Sequence, residues 1–393
     1  MEASPRPLLG AGTLALPLAV AALAAALLLP DLLPVSLGLV LLGWFHLTAC
    51  GLLVFYQPAF SKRAPPPAAL AYFVLVLPAA ALAAALLAGP LRLDAPRVPL
   101  QVTALAVLAA VLVFGGAALL GSRSATRLPL HRNGSPYEAG DRAVVLAYLL
   151  ALVTAAGGAA LLLRDPALGS PGLLLLATGP PALILMMAGY HLFPRVAKRA
   201  LESATIPVLA TLLVAAGSLG LAVGATVGLP ESTRPVYAAA YGIGLLHLAI
   251  ITLTAFLRIP ETAGPQSRAA KPLSLASVPF LVAGALVLPL SGQGHAEVAY
   301  LFLGGAGSLL FLAHTYLLFP IIANQVPWDR RVPLGVAALL ALATPLAVLA
   351  FVLGLPVWPP VLLAAVAALL HFGNLLPLAR PRRECPPTPD GTV

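Results

Sequence analysis

The stretch PLGVAALLALATPLAVLAFVLGL, residues 333–355, carries no charge and begins two residues after Arg331. As a helix rising about 1.5 Å per residue it reaches ~34 Å, enough to cross a hydrocarbon layer of about 30 Å. Similar apolar runs, bounded by Pro, Gly and charge, fall at 9–30, 33–57, 67–89, 98–121, 142–163, 171–193, 204–228, 235–258, 273–290, 296–320 and 359–379. In lipid every backbone amide must be paired within its own segment, so these runs are helices rather than open strands. The expected architecture is all-α: a polytopic membrane protein with twelve transmembrane helices in one domain, 1–379, built from repeated two-helix hairpins. A disordered cytoplasmic tail, 380–393, follows.

Composition agrees. Of 393 residues 60% are hydrophobic and 9% charged, against roughly a quarter charged in soluble domains. A secreted disulfide scaffold, a soluble Rossmann enzyme and a nucleic-acid-binding domain are thereby excluded. The first apolar run continues past Leu29 and is longer than a secretory signal, so it is expected to be the first membrane helix. Cys50 falls inside a span and Cys385 in the tail, where they cannot meet, so no structural disulfide is expected.

Orientation follows from the distribution of Lys and Arg. With the N-terminus inside, the inner segments hold Arg6, Lys62, Arg63, Arg123, Arg127, Arg132, Arg142, Arg195, Lys198, Arg199, Arg258, Arg268, Lys271, Arg330, Arg331, Arg380, Arg382 and Arg383. The outer loops hold only Arg92, Arg97, Arg164 and Arg234. This alternation supports twelve spans with N- and C-termini cytoplasmic. The bilayer, at the cell inner (plasma) membrane, is the partner this charge serves; no nucleic acid is expected.

All thirteen carboxylates are read into loops, tails or helix ends. Histidine is then the one ionisable residue deep in the spans, and it recurs on even-numbered spans: WFHLTACGLLVFYQP, GYHLFP, LLHLAIITLTAFLRIP, LAHTYLLFP and LLHFGNLLP. Inner-end prolines close these repeats as helix terminators. His46, His247 and His371 are placed about halfway through their spans, His314 one to two turns lower, and His191 near an inner end. His295 opens the tenth span and His131 sits in a loop. A buried imidazole is costly unless it binds something. Imidazoles at similar depth on separate helices suit axial ligation of a haem, with His46, His247, His371 and His314 as the cofactor-binding set. Each could instead be satisfied by a neighbouring helix. Gly179-Pro180-Pro181 interrupts the sixth span, either unwinding it or kinking it. Gly220, Gly224 and Gly228, and the run Gly304-Gly305-Ala306-Gly307, signal close helix packing.

Four segments carry a resemblance. MMAGYHLFPRVAKRAL (186–201), FLAHTYLLFPIIANQ (311–325), CGLLVFYQPAFSKR (50–63) and GQGHAEVAY (292–300) resemble helix ends of the haem–copper oxidase subunit I superfamily. The resemblance implies twelve helices, haem b, and copper or iron, with other respiratory membrane subunits as partners. His295 matches a haem-ligand position, while His46 lies deeper than that family's ligand in the second helix. For the copper site it offers only His191, with His295 as a second metal candidate, and no His-His pair exists. The implied function is haem or metal binding in respiratory electron transfer, sensing or assembly, without a complete oxygen-reducing site. The alternative is a permease for a small solute with a histidine-lined cavity.

Overall fold

The computed structural model describes residues 97–120, 138–167, 169–197, 203–259, 264–290, 296–323 and 331–376, with a few isolated positions besides. It is 90% helix, with no strand among the described residues. The helices are α1 (Arg97–Leu120), α2 (Glu138–Arg164), α3 (Pro171–Val196), α4 (Thr205–Thr226), α5 (Arg234–Leu257), α6 (Pro265–Leu290), α7 (Ala296–Ala323), α8 (Val332–Leu353) and α9 (Trp358–Leu375). All nine are long and apolar enough to cross a membrane. The chain is a multi-pass membrane protein. These helices correspond to the fourth to twelfth expected spans; the first three spans, His46, His131, His295, Cys385 and the tail 380–393 lie outside the described residues.

Consecutive helices pack against each other along the chain, and α3 also meets α5 and α7. This makes α3 the axis of the bundle: 78% of its apolar window is buried, against 28% for α8. Its start is set locally. Ser170 is extended at the N-cap, its Oγ accepts the Leu173 amide at 3.3 Å, and Pro171 occupies the first turn, where no amide partner is lost. The helix then runs unbroken through Pro180 and Pro181. Beside this pair the Tyr241 hydroxyl of α5 donates to the Thr178 carbonyl at 3.0 Å, so a neighbouring helix braces the site. Gly179-Pro180-Pro181 is thus a packed stretch of helix, not an unwound one.

Three boundaries differ from the expectation. Pro194 lies inside α3 rather than ending it; an inner-end proline removes one amide but need not stop the last turn. α6 begins at Pro265, before the run at 273, and passes through Pro272. Its added turns are amphipathic, with Arg268 exposed and Ala269 and Ala270 buried, a pattern that apolarity alone does not detect. α9 ends at Leu375, short of 379. α8 closes as expected of a sharp stop, with Gly354 left-handed at φ 61° and the Leu355 amide donating to the Ala350 carbonyl at 2.9 Å.

α2 and α3 approach along a seam of small residues. A Cβ on Gly172 would run into the Leu162 backbone, and a Cβ on Gly140 would lie 2.6 Å from the Tyr190 carbonyl oxygen. The glycines expected to mark close packing on α4 behave unequally: Gly220 lies beneath the Tyr237 ring, whereas Gly224 meets only Leu229 at an ordinary distance. Gly305 is packed against Thr344 of α8. Gly140→Ala is therefore expected to cost about 1–3 kcal/mol through overpacking against rigid backbone, read as a lowered thermal midpoint in detergent. Gly224→Ala should leave the midpoint unchanged or raised, since helix propensity then dominates.

Candidate functional site

One turn of α3, Tyr190 to Phe193, organises the polar interior. Tyr190 Oη and His247 Nδ1, on α5, share a hydrogen bond of 2.9 Å, and their rings are 5.7 Å apart. Phe193 stacks on His314 of α7 with centroids 5.2 Å apart and an interplanar angle of 25°, and meets Phe256 of α5 edge-on at 5.0 Å. One and two residues beyond His314, Thr315 and Tyr316 meet His371 of α9. Thr315 Oγ1 is 3.4 Å from His371 Nε2, and the Tyr316 and His371 rings form a T at 5.1 Å. The four described histidines within the bundle therefore occupy one layer, linked through α3 and α7. His371 lies lower than halfway, four residues before α9 ends.

His191 belongs to a charged cluster in the same layer. Its Nδ1 is 3.3 Å from Asp141 Oδ1 and 2.9 Å from Arg195 Nη1. Arg195 Nη2 donates to both carboxylate oxygens at 3.2 Å, and Nη1 donates to the His191 carbonyl at 2.6 Å. Asp141 is only 2% exposed. Its position, four residues into α2, resembled a loop in the sequence because Arg142 and Glu138 flank it. The close approach at Gly140 carries it against α3, so a buried ion pair stands where only histidines were expected. Two pairs of opposite type then compete for His191 Nδ1: a protonated Nδ1 donates to Asp141, a bare one accepts from Arg195. Either way this nitrogen is engaged within the cluster.

The other two deep imidazoles are less completely satisfied. His314 Nδ1 lies 2.6 Å from the Leu310 carbonyl, which can only accept, so Nδ1 carries the proton. His314 Nε2 is then a bare lone pair, buried and without a hydrogen-bond partner among the described residues. At His371 the assignment runs through Thr315, whose hydroxyl proton is committed to the Leu312 carbonyl at 2.7 Å. Thr315 Oγ1 must accept from His371 Nε2–H, leaving His371 Nδ1 as a second bare, buried lone pair. Both rings are 1% exposed. An unmet buried acceptor of this kind costs about 1–3 kcal/mol.

The two lone pairs do not converge. Successive helical residues point about 100° apart. His314 faces Phe193, whereas His371 lies against Thr315 and Tyr316, so the two rings sit on different flanks of α7. His247 is held by Tyr190 on α5. Among the described residues no three His, Cys, Asp or Glu side chains gather as a metal cage would require.

One residue of the layer, Asn374, carried no signal in the sequence beyond polarity in an apolar run. Asn374 Oδ1 accepts the Asp329 amide at 2.7 Å, and its Nδ2 donates to the Asp329 carbonyl at 2.9 Å and to Tyr316 Oη at 3.3 Å. It fastens the end of α9 to the segment before α8 and to α7. Comparison with known proteins gives no match to a family model and none to a curated protein.

Removing one member of the buried ion pair should be more harmful than removing both. Asp141→Leu removes the carboxylate that Arg195 and His191 share and is expected to cost about 3 kcal/mol, the lower end for such pairs because Arg195 is 23% exposed. Asp141→Leu with Arg195→Met should recover most of that loss, as read from thermal midpoints in detergent.

Proposed function

We propose that the protein is a haem-binding member of the respiratory membrane apparatus, akin to haem–copper oxidase subunit I, with His314 as a residue that would hold the haem. The observation that carries this reading is the His314 ring. It is buried, its tautomer is fixed by the Leu310 carbonyl, and its Nε2 lone pair meets no hydrogen-bond donor among the described residues. A backbone carbonyl accepting from the distal ring nitrogen is the arrangement that orients a ligating histidine and raises its basicity. The donor set suits a haem better than an all-protein metal cage. A haem supplies four of its own nitrogens and needs one or two from the chain, whereas a structural or catalytic metal ion takes three or four.

His371 offers a second imidazole lone pair from the other flank of α7, so it would not hold the same group as His314. His247, with Nδ1 held by Tyr190, keeps Nε2 for ligation. His191 contributes through its ion cluster rather than through Nδ1, and neither copper nor iron held by the protein alone is part of the reading. A bound haem iron would exchange single electrons. The chain's own part is to hold the imidazoles neutral, exclude water from the layer and fix their tautomers. Phe193 and Phe256 provide apolar walls beside His314. The placement is the cell inner (plasma) membrane, with other respiratory membrane subunits as electron partners. No His-His pair exists for a copper site, so oxygen reduction is outside this function.

Protein purified after expression with ample haem should show a Soret band. His314→Leu should abolish or strongly diminish it, and His371→Leu should spare the portion due to His314. In haem-free protein His314→Leu should be neutral or stabilising, because it removes an unsatisfied acceptor. A haem-free wild-type protein with no Soret band under these conditions overturns the reading.

A further inference from the structure

We infer that the inner end of the α5–α6 hairpin is a binding site for an anionic phospholipid, gripped at its phosphate by Arg258 and Arg268 with Lys271 alongside. α5 and α6 pack closely, and their register is fixed where a Cβ on Gly242 would lie 2.5 Å from the Ala285 carbonyl oxygen. Carrying that antiparallel register to the hairpin end places Arg258 level with Ala269, one residue from Arg268. Arg258 caps α5, and Arg268 and Lys271 sit in the first two turns of α6. Arg258 and Arg268 are exposed and Lys271 is half-buried. None of the three forms an ion pair with a carboxylate among the described residues. Counting Glu261 of the connecting segment against them, the hairpin from 258 to 271 still carries two net positive charges.

The occupant is fixed by what adjoins these cations. On α5 the lipid-facing residues Ile243, Ile250, Leu253 and Leu257 are 55%, 58%, 37% and 60% exposed. At helical spacing they form a stripe that ends at Arg258. Acyl chains laid along such a stripe bring their headgroup to the helix end, where the charge asymmetry of the whole sequence places the inner leaflet. A basic cluster at that interface attracts anionic lipid at about 1 kcal/mol per cation near the surface. A free phosphate ion would meet the same guanidinium groups but gain nothing from the stripe. The lipid reading therefore predicts that both parts, charge and chains, are needed.

The test uses the full-length protein, purified in a mild zwitterionic detergent and stripped of native lipid. Its thermal midpoint is measured after adding phosphatidylglycerol, phosphatidylcholine of the same chains, or inorganic phosphate. Phosphatidylglycerol is expected to raise the midpoint by several degrees more than phosphatidylcholine. Arg258→Gln with Arg268→Gln should remove that difference while leaving the phosphatidylcholine midpoint in place, and Arg258→Lys with Arg268→Lys should keep most of it. Equal shifts from the two lipids, an equal shift from inorganic phosphate alone, or a full difference persisting in the double glutamine variant would each overturn the proposal. If the double glutamine variant does not fold, a wild-type difference that survives 0.5 M salt undiminished overturns it, and one that collapses supports it.

Discussion

In hydrocarbon there is no water to finish an incomplete hydrogen-bond set, and every polar group placed inside the bundle must find its partner on another helix or on its own backbone. The interior of this protein is arranged around that constraint. Buried hydroxyls mostly turn back on their own helices, as Thr211 does to Pro207, Thr252 to Leu248 and Thr344 to Leu340. Tyrosines reach across instead: Tyr148 donates to the Phe114 carbonyl of α1 at 3.2 Å and Tyr241 to α3. Such bonds cost nothing in new charge and tie helices that otherwise meet through alanine and leucine. The imidazoles of His314 and His371 are set apart because each has two nitrogens and the bundle answers only one.

The helices were largely legible because length and apolarity are summed properties, insensitive to any single residue. α8 could be read from 333–355 alone, and the described spans from the fourth onward all reappear. What failed were boundaries governed by one residue. Pro194 and Pro272 looked like stops, yet a proline near a helix end removes one amide without ending the last turns. The amphipathic start of α6 was missed because its exposed face, with Arg268, dilutes the apolar average that defines a span.

The site was legible by residue type and not by arrangement. Sequence depth placed His371 halfway through its span, whereas its contacts with Thr315 and Tyr316 set the ring at the level of His314. That shift assembles four imidazoles into one layer, and no spacing rule on separate helices could have shown it. Asp141 was invisible for the opposite reason. A carboxylate between a glycine and an arginine at the start of a span reads as a loop residue. Only the close approach of α2 to α3 at Gly140, which needs the missing side chain, turns it inward to Arg195 and His191.

The layer also explains why α3 lies at the centre and not at the lipid face. A polar side chain facing lipid finds no partner, whereas on a central helix the neighbours supply one, as Tyr241 does for the Thr178 carbonyl of α3. Surrounding α3 with α2, α4, α5 and α7 places Tyr190, His191 and Phe193 where each can engage a different helix. The same three residues on a peripheral helix would turn at least one polar side chain toward acyl chains. Central placement of α3 and the gathering of the histidines into one layer are thus two consequences of a single requirement, that polarity be enclosed.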